Sequence, residues 1–219
     1  MPGRAPPGRA GRVWLAERIS VARRAAELLD QKQQLLRREQ RRLAELADRT
    51  GRDWRALAVA ADTWNARALV AGGRDELRRA ASVAGTAEAR IHWASKAGVT
   101  YPSTASTDLP PFPALAGTPA LTHAADACRR ALDAAVRHAA TATALSLVEA
   151  ELAATVRRLR AVRDRWLPQL EAQLGKLDLR LDETEREEIT RLRWARPRSA
   201  APDHGRAEAS ASALGRVEP

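Results

Sequence analysis

Residues 15–43, LAERISVARRAAELLDQKQQLLRREQRRL, begin the hydrophobic repeat that decides the predicted fold. The repeat alternates steps of three and four residues, and thirteen of its sixteen positions are apolar. Its members are Leu15, Ile19, Ala22, Ala26, Leu29, Gln33, Leu36, Gln40, Leu43, Ala47, Thr50, Trp54, Leu57, Ala61, Trp64 and Ala68. A repeat this long is typical of a coiled-coil seam rather than of a short globular helix. The sequence therefore predicts a first helix that is roughly 85 Å long at 1.5 Å per residue.

A second apolar stripe predicts another long helix near the C-terminus. Its spacings are mostly three, four and seven, and its members are Cys128, Leu132, Ala135, Ala139, Leu145, Val148, Leu152, Leu159, Val162, Trp166, Leu170, Leu174, Leu177, Leu181 and Leu192. Pro168 falls inside this stripe, and its missing N–H predicts a bend rather than an end. In the first helix, Gly51 is the weak point, because glycine costs about 1 kcal/mol relative to alanine there. The pair Gly72-Gly73 predicts the end of that helix.

The middle of the chain contains the only segment that resembles β-structure. Ile91 and Trp93 precede a Ser-Lys-Ala-Gly turn, and Val99 and Tyr101 follow it, which predicts a short hairpin. Five prolines between residues 102 and 120 predict a loop. The predicted organisation is a disordered basic tail over 1–12, a helix over 13–72, a middle region with the hairpin over 73–120, a second helix over 121–196 and a disordered tail over 197–219.

Two long helices can conceal their seams by folding back on each other. The predicted fold class is therefore mainly α: a long antiparallel two-helix coiled coil with a short β-hairpin between the helices. If the helix ends lie level, Leu15 meets the region of Leu192, and Leu43 meets the region of Trp166. Leu29 would then lie beside residues 177–181.

The charge of the chain indicates an anionic partner. Its 37 basic residues, of which 34 are arginine, outnumber 27 acidic residues and give a net charge of +10. Such an excess suits nucleic acid, a lipid surface or an acidic protein face. A basic coiled coil that binds nucleic acid, or one that serves as a scaffold, therefore stays open as an alternative.

No motif for catalysis or cofactor binding occurs in the sequence. It contains no GxxxxGK[ST], HExxH, CxxC or GxSxG pattern, and the four histidines are scattered. A single cysteine excludes an internal disulfide, and the acidic run at 182–188 has arginines at the spacing of intrahelical ion pairs. We therefore expect no catalytic residue, no metal and no cofactor. With no evident membrane span or secretion signal, the sequence predicts a cytoplasmic protein.

Two blocks of the sequence resemble the D subunits of V/A-type rotary ATPases. Residues 18–39, RISVARRAAELLDQKQQLLRRE, resemble the N-terminal signature of that family, which ends in a hydrophobic-Arg-Glu string. Residues 167–192, LPQLEAQLGKLDLRLDETEREEITRL, resemble its C-terminal block, where proline precedes a Leu-Glu pair inside a long helix. Between them, residues 98–102, GVTYP, are similar to the family's Gly-Val-x-Val-Pro element. In layout the resemblance covers roughly residues 12–196.

The resemblance implies a central-stalk rotor shaft that couples ATP turnover in a catalytic hexamer to rotation of a proton- or sodium-translocating membrane ring. The implied partners are the catalytic A and non-catalytic B subunits of the hexamer, the F subunit and the connector of the membrane ring, without nucleic acid. The chain itself would be non-catalytic and peripheral to the membrane, without inserting into it. The residues expected to contact the cavity of the hexamer lie near the two helix ends: Trp14, Arg18, Arg191, Arg193, Trp194 and Arg196.

Overall fold

The computed structural model describes residues 6–111 and 117–195, and these residues are mainly helical. Helix α1 spans Gly8–Val83, and strands β1 (Glu88–Lys96) and β2 (Val99–Asp108) form an antiparallel pair. Helix α2 (Pro119–Arg160), a π-helical segment (Ala161–Trp166) and helix α3 (Leu167–Ala195) complete the described chain. The chain divides into two compact units. One contains residues 1–18 and 170–219, and the other contains residues 19–169.

Helix α1 is longer at both ends than the sequence predicts. Residues 8–12 are helical, so the predicted disorder over 1–12 is wrong for them, and residues 1–5 lie outside the described residues. Gly73, with φ of 73°, interrupts α1 where its end is predicted. The helix nevertheless resumes and continues to Val83, because only one residue leaves the helical conformation and Ala80 is buried beyond it.

The predicted hairpin is present, and its second strand is longer than expected. Ala97 and Gly98 both have positive φ, 52° and 78°, as a two-residue hairpin turn requires. Strand β2 continues to Asp108, so the predicted loop is wrong for residues 102–108. Pro102 is tolerated because it pairs with Trp93 beside a bulge in the ladder.

Within the unit of residues 19–169, β2 packs against α2 and closes the main hydrophobic cluster. The cluster combines side chains from three elements: Leu36, Leu43, Val99, Tyr101, Ala144 and Val148. Side chains of α1 and α2 also meet along this unit, where Lys32 donates to Glu151 (2.7 Å) and Trp54 stacks on His138 (5.5 Å between centroids). Partner numbers fall on α2 as they rise on α1, so the two helices run in opposite directions.

Gly51 leaves room for close packing against α1, besides being a weak point in the helix. A Cβ atom added there would lie 3.1 Å from Cε1 of His138. Nδ1 of the same imidazole is hydrogen-bonded to the Thr50 hydroxyl (3.2 Å), and the ring stacks on Trp54. The absence of a side chain at residue 51 therefore allows His138 to approach the backbone of α1.

The predicted register of the helices is wrong. Leu43 lies in one cluster with Ala144 and Val148, not beside Trp166, so the second helix is displaced by roughly five turns. In the unit of residues 1–18 and 170–219, Arg9 contacts Glu185 (2.8 Å) rather than a residue beyond Leu192. The predicted register assumed that the two helices end at the same level. That assumption is wrong, because α3 continues past the first residues of α1. Its outer seam residue Leu192 is consequently 67% exposed.

The sequence predicts that the second helix continues through Pro168, and it does. The irregularity in the helix lies just before the proline. Residues Ala161–Trp166 are π-helical, with Leu167 N–H donating to the carbonyl of Val162. Proline cannot donate to the preceding turn, and its ring crowds that turn, so the wider π geometry accommodates it. Trp166 is 51% exposed here, although the sequence places it in the seam.

A carboxylate from α1 satisfies the N-terminus of α2. The buried Glu76 accepts hydrogen bonds from the Thr118 backbone N–H (2.6 Å) and the Thr118 hydroxyl (3.1 Å). Pro119, at the first helical position, has no N–H that would need a partner. Glu76 therefore supplies the acceptor and the negative charge that favour a helix start.

Candidate partner-contact surface and hairpin anchor

The last turns of α3 present exposed apolar and basic side chains. Residues 186–195, the C-terminal tip, are all exposed, and Trp194 is 86% exposed. Ile189 and Leu192 add apolar surface one turn apart. Arg191 makes an intrahelical ion pair with Glu187 (3.3 Å). Of the residues predicted to contact a partner, Arg191, Arg193 and Trp194 lie in this tip, and Arg196 lies outside the described residues.

Trp14 and Arg18, the other predicted contact residues, form a separate group on α1. The Arg18 guanidinium lies over the Trp14 ring at 5.0 Å, a cation–π contact within one turn. Between this group and the C-terminal tip lie the ion pairs of Arg9 with Glu185 (2.8 Å) and Arg12 with Asp178 (3.1 Å). The predicted residues therefore form two patches in this unit, not one.

In the unit of residues 19–169, a buried carboxylate fastens the hairpin to α1. Glu39 is 2% exposed and accepts hydrogen bonds from the Tyr101 hydroxyl (2.9 Å) and from Nε of Arg42 (2.9 Å). Lys96, the last residue of β1, donates to its other oxygen. Glu39, Arg42, Lys96 and Tyr101 together form what we call the hairpin anchor.

The donors of the hairpin anchor keep Glu39 ionised. Burial alone raises the pKa of Glu39, but the hydrogen bonds from Arg42, Lys96 and Tyr101 outweigh it and lower this pKa to about 2. Burial and the neighbouring carboxylate raise the pKa of the Tyr101 hydroxyl. The phenol therefore stays a hydrogen-bond donor to the Glu39 carboxylate.

The open end of the hairpin is fastened to α2. Asp133 accepts from the Thr107 hydroxyl (2.8 Å) and the Thr107 backbone N–H (3.3 Å). Arg129 donates to the carbonyls of Leu109 (3.1 Å) and Pro110 (2.5 Å). The hairpin is thus held at its turn by α1 and at its open end by α2.

Sequence reasoning missed the hairpin anchor. One signal was present, because Glu39 closes the N-terminal block that resembles the family of D subunits. Tyr101 and Lys96 could not be connected with Glu39, since 57 or more residues separate them along the chain. The pairing depends on where the hairpin lands on α1, and hydrophobic spacing does not fix that position.

The described residues contain no group of three or more histidine, cysteine, aspartate or glutamate side chains that could hold a metal ion. An apolar groove of about 340 Å³ lies between the last turns of α1 and the start of α2, lined by residues such as Leu77, Leu121 and Cys128. Cys128 is exposed and contacts Asn65 (3.4 Å), although the apolar stripe predicts a buried thiol.

Within residues 6–111 and 117–195, one helical stretch, Pro119–Ala195, contains a window that is apolar enough to cross a membrane by length and composition. The sequence analysis predicts no such segment, so by length and composition this prediction is wrong. The window has a mean hydropathy of 1.2. The same stretch contains Glu149 and Glu151, which bond to Gln40 and Lys32 of α1. Core helices of soluble proteins pass the same criterion, so this window is weak evidence for insertion.

Two long helical segments and one small antiparallel hairpin define a mainly helical protein. The family model for the D subunits of ATP synthases matches residues 14–196. The chain therefore belongs to this family of ATP synthase D subunits, whose members are stalk subunits of V/A-type rotary ATPases. No curated protein matches the chain significantly. The resemblance of residues 18–39 and 167–192 to this family is confirmed.

Proposed function

We propose that the chain is the rotor shaft in the central stalk of a proton- or sodium-translocating V/A-type ATPase or ATP synthase. The family match over residues 14–196 carries the proposal. In such a machine the nucleotide sites belong to the ring of A and B subunits. The shaft contributes different contacts at each rotation angle and so couples nucleotide turnover to rotation.

A shaft must resist twisting, and the contacts between α1 and α2 support that role. We infer that the two helices form an antiparallel coiled coil with the contacts seen between Gln40 and Glu149 (3.1 Å) and between Thr50 and His138 (3.2 Å). Disulfide cross-linking tests this register. Cysteines replacing Gln40 and Glu149 should cross-link, whereas cysteines replacing Leu43 and Trp166 should not. The reverse result would restore the level-ended register.

The two patches near the helix ends are the surfaces that we assign to the cavity of the ring. Trp194 offers the large exposed aromatic surface that often dominates interface energies, and Arg191 and Arg193 offer charges for acidic walls. Trp14 and Arg18 form the second patch. We assign the contacts with the F subunit and with the membrane-ring connector to the middle of the chain, and we place the protein on the cytoplasmic side, peripheral to the membrane.

The direct test is purification of the tagged chain from its own cells under gentle conditions. A stoichiometric ATP-hydrolysing ring and a small companion subunit should copurify with it. Recovery of nucleic acid alone, in a form that 0.5 M salt removes, would support the alternative in which the net charge of +10 is the functional signal.

The role of the tip is tested by the double change Arg191→Glu and Arg193→Glu. Its matched control is Arg52→Glu, which reverses one exposed charge on α1 in the other unit. Proton or sodium transport per ATP hydrolysed should fall in the tip variant and stay at the wild-type value in the control. Equal transport ratios in all three proteins would remove Arg191 and Arg193 from the coupling mechanism.

A further inference from the structure

Two neighbouring cavities lie within the unit of residues 19–169. The first is the apolar groove of about 340 Å³ between the last turns of α1 and the start of α2. The second has a volume of about 350 Å³, and it adjoins the groove because Leu109 and Arg129 line both cavities. Each volume is that of a small-molecule site. Two cavities with a shared wall can therefore hold the two ends of one ligand.

The groove is almost entirely apolar. Its lining side chains are those of alanine, leucine and proline, together with Gly85, Asn65, Cys128 and Arg129. The Asn65 side chain donates to Sγ of Cys128 (3.4 Å), so these two polar groups are engaged with each other. Because apolar surface gains free energy by leaving water, a groove of this composition favours a hydrocarbon chain.

Arginines dominate the second cavity, which we call the basic lobe. Arg129, Arg130 and Arg137 line it beside one carboxylate, that of Asp133. Asp133 is already paired with Arg137 (2.8 Å) and accepts a hydrogen bond from the Thr107 hydroxyl (2.8 Å). Within the described part of the chain, neither Arg129 nor Arg130 contacts a carboxylate. The basic lobe therefore offers an anion two positive charges that are not neutralised there.

Arg129 lies where the two cavities meet, and its guanidinium is held in place. It donates to the carbonyls of Leu109 (3.1 Å) and Pro110 (2.5 Å). Two neutral carbonyls orient the guanidinium without neutralising its charge, so less conformational entropy is lost when an anion binds. The structure thus places an oriented cation beside an apolar groove, as a ligand with an ionic head group and a hydrocarbon chain requires.

We propose that the groove and the basic lobe together bind a single-chain lipid with a phosphate head group. This inference does not depend on the rotor assignment. The alkyl chain lies in the groove, and the phosphate lies against Arg129 and Arg130, whose planar guanidinium groups suit its oxygens. A phosphomonoester carries a charge of about −1.5 to −2 at neutral pH, which matches these two arginines. A neutral lipid would leave both charges unpaired, and free phosphate would leave the groove in contact with water.

Calorimetric titration of the full chain with oleoyl lysophosphatidic acid tests the proposal, at concentrations below those at which this lipid forms micelles. One molecule should bind per chain. Monooleoyl glycerol has the chain without the phosphate, and glycerol 3-phosphate has the phosphate without the chain. Each of these should bind at least about tenfold more weakly than the complete lipid. Equal affinity for either fragment, or no binding of the complete lipid, would overturn the proposal.

Two variants locate the ligand. Ala81→Trp, at an exposed position of α1 that lines the groove, should fill the groove and weaken binding at least about tenfold. Arg130→Gln should weaken binding at least about fivefold, because it removes one of the two free charges of the basic lobe. The matched controls are Ala66→Trp on α1 and Arg157→Gln on α2, both at exposed positions outside the two cavities. The controls should bind within about twofold of wild type, and circular dichroism should show equal helix content in all variants.

Other occupants and unspecific binding give different results. Equal weakening by Arg130→Gln and Arg157→Gln would show a general attraction to a chain of net charge +10, and the proposed site would be wrong. Binding of many lipid molecules per chain would likewise indicate adsorption to the surface and overturn the proposal. If sedimentation shows a wild-type dimer that Ala81→Trp abolishes, a second copy of the chain occupies the groove and the lipid proposal is wrong.

Discussion

The hairpin anchor and the C-terminal tip each contain an ion pair between arginine and glutamate, but the two glutamates differ in burial. At the anchor, Arg42 and Lys96 meet Glu39, a carboxylate that is 2% exposed. At the tip, Arg191 meets Glu187 in solvent, where both side chains are more than half exposed. The two regions therefore differ in the burial of the carboxylate and not in the presence of arginine. We expect the anchor to stabilise the fold and the exposed tip to be accessible to a partner.

The energetic consequences of this difference are large. Removing a cation from a buried carboxylate such as Glu39 leaves a desolvated charge without compensation, which costs several kcal/mol. An exposed pair one turn apart on a helix contributes only about 0.3–0.5 kcal/mol. We therefore expect substitutions at the anchor to change stability and substitutions at the tip to change binding.

The largest expected effect is that of Glu39→Ala. It leaves the buried Tyr101 hydroxyl without its acceptor and removes the ion pairs of Arg42 and Lys96, so it should reduce the free energy of unfolding by about 1–3 kcal/mol. Urea denaturation followed by circular dichroism measures this loss. Glu45→Ala, an exposed position on the same helix, is the control and should stay within about 0.5 kcal/mol of wild type. A loss below about 0.5 kcal/mol for Glu39→Ala would contradict the assignment of the anchor.

The second effect is the pH dependence of the free energy of unfolding that Glu39 contributes. Its pKa is lowered from 4.5 to about 2, so the folded protein holds the ionised form more tightly than the unfolded chain does. The resulting stability is fully present above pH 4.5 and is lost as the pH falls toward 2. By pH 3 the loss should reach about 2 kcal/mol.

Comparison of wild type with Glu39→Gln isolates this loss from the titration of other carboxyl groups. The stability difference between the two proteins should be constant from pH 7 to pH 5 and should shrink below pH 4.5. A difference that stays constant down to pH 3 would show that Glu39 does not titrate with a lowered pKa.

The secondary structure elements and the register between them differ in how well the sequence predicts them. Heptad spacing alone indicates the long helices, and the Ala97-Gly98 turn indicates the hairpin, because both are local signals. The register depends on long-range contacts, such as the stacking of His138 on Trp54 and the space provided by Gly51. Those contacts have no periodic signature, so assuming level ends gave a displacement of roughly five turns.

The contact residues at the helix ends show the same limit. Trp194 and Arg191 could be selected because they are aromatic or basic and lie near the predicted end of a helix. Their separation from Trp14 and Arg18 follows from the ion pairs of Arg9 and Arg12 with α3, which the level-ended register does not contain. The sequence thus indicates which single residues suit a contact surface. Which of them lie together depends on the register between the two long helices, and the sequence does not predict that register.

An intermediate effect is expected for Glu76→Ala, which removes a buried acceptor from the start of α2. The Thr118 N–H and hydroxyl would lose their partner, at a cost of about 1–2 kcal/mol. Hydrogen exchange of the amides in the first turn of α2 should accelerate. Asp75→Ala is the control, because that side chain is 81% exposed and its ion pair is with Arg78, one turn away on the same helix. Equal exchange in both variants would show that Glu76 does not support this helix start.

The smallest effect on stability is expected at the tip, where the comparison with the anchor is sharpest. Trp194→Ala removes a side chain that is 86% exposed, so the free energy of unfolding should change by less than about 0.5 kcal/mol. Binding to the ring should nevertheless weaken, because an exposed tryptophan that becomes buried at an interface contributes strongly to affinity. Trp166→Ala is the control, since Trp166 is 51% exposed and lies outside both patches. If Trp194→Ala lowers stability as much as Glu39→Ala does, the tip packs within the chain. If it leaves ring binding unchanged, the exposure of Trp194 has no role in assembly.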